Sequence, residues 1–138
     1  MSSLILLDTS VWIEVFRSRS PLRLEEIVEF DQIVTCIPVI QEVLQGFRDE
    51  QPFRIARGAM LELPTVESPL SIAVVEDAVG LYRSARRQGL TVRSSVDCLI
   101  AACALRHGLT VLHRDRDYPQ LAQVSALQQH DVTRLHSK

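Results

Sequence analysis

Lysine is almost missing from this 138-residue chain: of its fifteen basic residues fourteen are arginine, and the one lysine is Lys138. Phosphoryl chemistry that relies on an internal lysine is thereby excluded, and no GxxxxGK loop is present to cradle a nucleotide. Cysteine is scarce as well. Cys36, Cys98 and Cys103 form no CxxC pair and sit in apolar company, so they read as reduced core residues rather than a disulfide framework or zinc site. No HExxH or HxxxH spacing offers paired histidines to zinc. Long apolar runs are absent too: none approaches the roughly 18 residues of a membrane span, and "LILL" lacks the length and basic flank of a signal peptide. A cytoplasmic protein with no membrane partner is the default expectation.

What is present is ordinary in bulk. The apolar fraction is 46%, the charged fraction 23% and the net charge −2, which suits one soluble domain over residues 1–138 and does not suit a uniformly basic nucleic-acid binder. The arginine excess is explained well enough by G/C-rich codons, although guanidinium groups also suit phosphate and carboxylate partners.

Along the chain, short apolar strands alternate with helical patterns. "LILLD" (4–8), "QIVTC" (32–36) and "LTVL" (109–112) read as strands, with "SALQQ" as a short last one. Helices are expected over "TSVWIEVFR", "PLRLEEIVEF", "PVIQEVLQGF" and "FRIARGAMLEL". A long one should run from near Pro69 to Gly89, and another from a Ser94 cap to Gly108. This alternation implies an α/β fold with a central, mostly parallel β-sheet flanked by helices, three layers in all. Ligands of such sheets gather off the carboxyl ends of the strands.

Acidic residues fall at those places. Asp8 closes the first strand, where it also suits a helix N-cap. Glu42 lies at the seam between the core and surface faces of its helix, as a boundary glutamate would. Asp97 opens a helix that is apolar on every side from Val96 to Leu105. A carboxylate there is costly unless it is paired, hydrogen-bonded or metal-bound, although a capping box from Ser94 is an equal reading. Asp115 and Asp117 follow the last long strand. Were that segment to stay extended, His113, Asp115 and Asp117 would share a side; a plain turn is the alternative. Crowded carboxylates repel, and Mg²⁺ or Mn²⁺ reverses that repulsion while leaving room for water and phosphate.

"LLDTSVWIE", "PVIQEVLQG", "SSVDCLIAACA" and "TVLHRDRDY", in this order and spacing, resemble the blocks of the PIN-domain ribonucleases, and among them the VapC toxins. The resemblance covers essentially the whole chain. It implies a PIN-like fold and a metal-dependent endoribonuclease using Mg²⁺ or Mn²⁺, with structured RNA such as transfer RNA as substrate. The acidic metal-binding positions then fall on Asp8, Glu42, Asp97 and Asp115. Asp117 matches an assisting acid, and Ser10 a hydroxyl that supports the first aspartate. It further implies a small VapB-like antitoxin and a homodimer, with a heterotetramer or larger assembly when the antitoxin joins. Arg17, Arg19, Arg93, Arg114 and Arg116 are candidates for gripping the RNA backbone, and Arg83, Arg86 and Arg87 share a helical face that solvent or RNA would meet. One departure stands out: His113-Arg114 replaces the Thr or Ser and small polar residue often found there. His113 reads as a bystander to the chemistry.

A strand ending "LLDTS" also resembles the acid-nucleophile phosphotransferases, but the missing lysine argues against them. The rival reading is a catalytically weak PIN-fold module that only binds RNA or protein. Its mark would be the loss of an acid, and none is lost.

Overall fold

The computed structural model describes residues 4–133. Five strands form one sheet: β1 (Ile5–Leu7), β2 (Ile33–Cys36), β3 (Thr65–Val66), β4 (Thr110–His113) and β5 (Gln128–Asp131). Their order is β3-β2-β1-β4-β5 and every pairing is parallel, so the expected mostly parallel sheet is wholly parallel. Parallel neighbours need crossovers. Among the described residues six complete helices flank the sheet: α1 (Thr9–Phe16), α2 (Ile37–Gln45), α3 (Glu50–Leu61), α4 (Ile72–Arg87), α5 (Ser95–His107) and α6 (Asp117–Ala122).

The two central strands are hydrophobic because both their faces are covered: Leu6, Leu7, Val111 and Leu112 are buried against Val11, Ile100 and Leu121 in one continuous core. Register follows from this packing, with Leu6 beside Val111 and Leu7 beside Leu112. The chain runs from β1 outward through β2 to β3, then returns to lay β4 on the other side of β1. The direction of winding therefore reverses between β1 and β4, and a crevice opens at the carboxyl ends of those two strands.

The helix ends obey local chemistry. Pro38 sits in the first turn of α2, Ser71 caps α4 through the amide of Val74, and Gly108 closes α5 in the left-handed region at φ 65°. The three cysteines are free and buried, as expected.

Two expectations fail. Residues 21–30 do not form a helix; they contain a single 3₁₀ turn (Leu24–Glu26), and a second begins at Phe30 (Phe30–Gln32). Leu22 and Leu24 both pack on the core, and residues two apart lie on opposite sides of an α-helix, so an irregular path is what buries both. The segment after β4 does not stay extended either: it turns at Arg114–Arg116 and enters α6 at Asp117. β3, two residues long, and α6, six residues with Pro119 inside, have too little pattern to be visible in the sequence.

Candidate metal centre

Asp8 leaves β1 with its amide bonded to Leu112 O at 2.9 Å, the last tie to β4 before α1 begins. It is the N-cap of α1, and its Oδ2 accepts the amide of Ser10 at 3.0 Å and the Ser10 hydroxyl at 2.5 Å. Ser10 Oγ in turn accepts the amide of Arg114 at 2.9 Å. The serine thus stitches the turn after β1 to the turn after β4.

Asp97 is the third residue of α5. Ser94 caps the helix through the Asp97 amide at 3.4 Å, but the reciprocal half of a capping box is taken by another residue. Asp117 accepts the amides of Ser94 (2.9 Å) and Arg93 (3.0 Å) across more than twenty residues. The carboxyl of Asp97 is therefore not used to cap its own helix. It is 5% exposed, and its Oδ2 is buried with no hydrogen-bond partner. Burial first, then the charge of Asp8 and the neighbouring Asp117 and Asp115, push the Asp97 carboxyl up to about 9. The helix N-terminus favours an anion there, but these opposing effects outweigh it.

Asp115 supplies the third carboxylate from the turn after β4. One oxygen each from Asp8, Asp97 and Asp115 lie within 4.8 Å of one another, a group that could hold a metal ion. The group includes neither Glu42 nor Asp117. Glu42 is half-buried on α2, where Oε1 accepts the Thr9 hydroxyl at 2.7 Å. Asp117 is buried and occupied by the two backbone amides.

His113 does not share a side with the two aspartates. Fully buried, it bonds Gln129 Oε1 through Nε2 at 2.6 Å and accepts the Asp115 amide on Nδ1 at 3.1 Å. Sequence reasoning assigned no role to Tyr118, which is also fully buried. Its hydroxyl donates to Asp8 Oδ1 and lies 3.4 Å from Asp97 Oδ1. Its place beside Asp117 in "DRDYP" was visible, but nothing in the sequence said which way it points.

Of the arginines, Arg17 and Arg114 both reach Glu14, at 2.8 and 3.0 Å, and line a depression of about 310 Å³ with it. Arg19, Arg93 and Arg116 are exposed. Arg83, Arg86 and Arg87 lie exposed at the end of α4, with Arg86 over the ring of Tyr82 at 5.3 Å.

The donor set suits a hard divalent cation: oxygen only, anionic, with one buried oxygen lacking any donor. Known proteins resemble this chain along most of its length. A family model described as PIN domain matches residues 5–124. The chain is 38% identical over 130 residues to VapC ribonuclease Mb1587 of Mycobacterium bovis and to Ribonuclease VapC11 of Mycobacterium tuberculosis, covering 91% of this chain and 96% of each relative. The solved structure of VapBC-5 from Mycobacterium tuberculosis, a member of the VapBC family of toxin-antitoxin systems, superposes with a TM-score of 0.64 at 23% identity. That match covers 93% of this chain and 98% of the other.

Proposed function

Since the chain belongs to the PIN-domain family, we propose that it is a metal-dependent endoribonuclease of the VapC kind, the toxin of a toxin–antitoxin pair. The observation that carries this reading is the meeting of Asp8, Asp97 and Asp115 at the β1/β4 crevice, with a buried Asp97 oxygen that no protein donor reaches. The names of the relatives, ribonucleases both, support it.

Asp8, Asp97 and Asp115 would hold Mg²⁺ or Mn²⁺. When bound, such an ion neutralises the clustered charge, acidifies a water and stabilises oxyanions at phosphorus. Ser10 fixes which oxygen of Asp8 faces the crevice, since its hydroxyl and amide occupy Oδ2. Glu42, whose Oε1 accepts the Thr9 hydroxyl, would complete the acidic surround from α2. Asp117 acts one step back, holding the start of α5 so that Asp97 faces the others. Arg114 and Arg17, beside the crevice, contact the RNA backbone, with Arg19, Arg93 and Arg116 on the exposed approaches. Cleavage leaves 5′-phosphate and 3′-hydroxyl ends, and structured RNA such as transfer RNA is the substrate class.

The partners follow the same reading. A VapB-like antitoxin neutralises the enzyme, as the toxin-antitoxin neighbour suggests. The chain pairs with itself through α4, in a homodimer that the antitoxin extends to a heterotetramer or larger. Ile72, Val75, Val79 and Tyr82 make an exposed apolar stripe at spacings of three and four on that helix. An antiparallel pairing about Val79 sets Glu76 of one copy near Arg83 of the other. No helix among the described residues is long and apolar enough to cross a membrane.

The test is to incubate the purified chain with total bacterial RNA and Mn²⁺, beside Asp97→Asn and an EDTA control. Discrete cleavage that needs metal and vanishes in the variant is expected. Metal binding without cleavage of any RNA tried would favour the binding-only module.

A further inference from the structure

Behind the three carboxylates lies an aromatic pair that the functional reading leaves unused. Tyr118 and His113 are both fully buried, their rings 4.9 Å apart and tilted by 32°. Packing alone calls for a phenylalanine at position 118, because a buried hydroxyl is costly unless bonded. The hydroxyl of Tyr118 is bonded, and its acceptors are Asp8 and, more distantly, Asp97. Burial and the charges of those aspartates raise its pKa well above the usual phenol range, so it keeps its proton and remains a donor.

His113 has an equally defined place. A backbone amide can only donate, so Nδ1 of His113 accepts from Asp115 and the ring proton sits on Nε2, facing Gln129 Oε1. Gln129 belongs to β5, so the far strand of the sheet fixes the imidazole, which fixes the turn carrying Asp115. The pair therefore touches all three acids: Tyr118 by its hydroxyl to two carboxylates, His113 by its ring to the backbone of the third.

We propose that Tyr118, with His113 stacked against it, is the positioning pair that presets Asp8, Asp97 and Asp115 for a divalent cation. Neither residue is a ligand or a catalytic group. Carboxyl groups crowded from three separate elements would otherwise turn away from one another, because ionising one makes the next costlier to ionise. The phenol keeps Asp8 facing Asp97, and the imidazole keeps the Asp115 turn closed over them. An oxygen that accepts a hydrogen bond retains a lone pair for a metal, and supporting bonds of this kind usually strengthen metal binding by tenfold or more. This inference rests on the metal-centre reading above.

The experiment is a Mn²⁺ titration of the purified chain, with free aqueous Mn²⁺ counted by electron paramagnetic resonance. Wild type, Tyr118→Phe, His113→Asn and His113→Leu are compared, each first shown by circular dichroism to melt cooperatively in EDTA. Tyr118→Phe should bind Mn²⁺ about tenfold more weakly. His113→Leu should also weaken binding, and His113→Asn should recover much of it, because an asparagine oxygen can accept the Asp115 amide. A mere packing role would not favour Asn over Leu. Binding by Tyr118→Phe as tight as wild type, or tighter, overturns the proposal, as does equal loss in the two His113 variants. Wild type failing to bind Mn²⁺ at all would overturn the metal-centre reading itself, and this inference with it.

Discussion

Asp117 accepts the backbone amide of Ser94 at 2.9 Å, across twenty-three residues of sequence, and so holds the first turn of α5 against α6. The Arg93 amide joins the same carboxylate. Replacing Asp117 by Ala leaves two amides without their acceptor in a partly buried place, which should cost roughly 1–3 kcal/mol. Urea denaturation measures this directly, and Asp117→Asn, which keeps one acceptor oxygen, should lose less. A loss below the resolution of the experiment would mean that water replaces the carboxylate without penalty.

Asp97 makes the metal-free protein sensitive to pH. Its folded value is raised to about 9, against roughly 3.9 for an unfolded aspartate. Between these values the folded state binds more protons than the unfolded one, so stability falls as pH rises. In EDTA the wild-type melting temperature should decline from pH 5 to pH 9, and Asp97→Asn should decline less. At pH 8 the variant should be the more stable by at least about 1 kcal/mol, roughly 3–5 °C for a chain this size. Manganese should restore the wild type, by about 2.7 kcal/mol at a hundredfold excess over its dissociation constant, and should leave the variant nearly unmoved. Parallel pH profiles for the two proteins would remove Asp97 from the account.

Arg114 and Arg17 share Glu14, which holds two guanidinium groups together at the depression they line. If Arg114 meets a phosphate, Arg114→Ala should weaken RNA binding whatever the sequence and reduce the slope of log affinity against log salt by about 1. Catalytically silent Asp97→Asn protein permits the measurement on intact RNA. An unchanged slope would assign Arg114 to the ion pair alone.

The proposed homodimer would have a single point of failure in the apolar stripe on α4. Val79 is 54% exposed and would lie near the centre of the proposed antiparallel pairing. Val79→Asp should place two carboxylates face to face across the axis, and sedimentation should then find monomers with an unchanged melting curve in EDTA. Dimers that survive the substitution would move the interface off α4.

The legible parts of this molecule are those where one residue type contradicts its surroundings. Asp8 ends a strand that is otherwise apolar, and Asp97 interrupts a helix that is apolar all round. With the parallel-sheet rule these sufficed to expect both at one edge, and they do meet there with Asp115. Contacts through space left no such mark. Thr9 and Glu42 are thirty-three residues apart, and Tyr118 and Asp8 a hundred and ten. Residues 21–30 misled because their apolar count suits a helix while the core needs Leu22 and Leu24 on one side. His113 and Asp117 misled for another reason: the backbone turns at Arg114, and alternation ends with the strand.

The position of β1 between β2 and β4 also governs when the pocket can exist. A nascent chain offers Asp8 early, yet Asp8 stands alone until α5 and the turn beyond β4 have been synthesised. Pairing of β1 with β4 spans more than a hundred residues, and contacts of such long range form late. A ribosome making this protein therefore carries an incomplete nuclease until nearly the last strand has emerged. The acidic group is completed only when the turn beyond β4 folds back onto the start of α1.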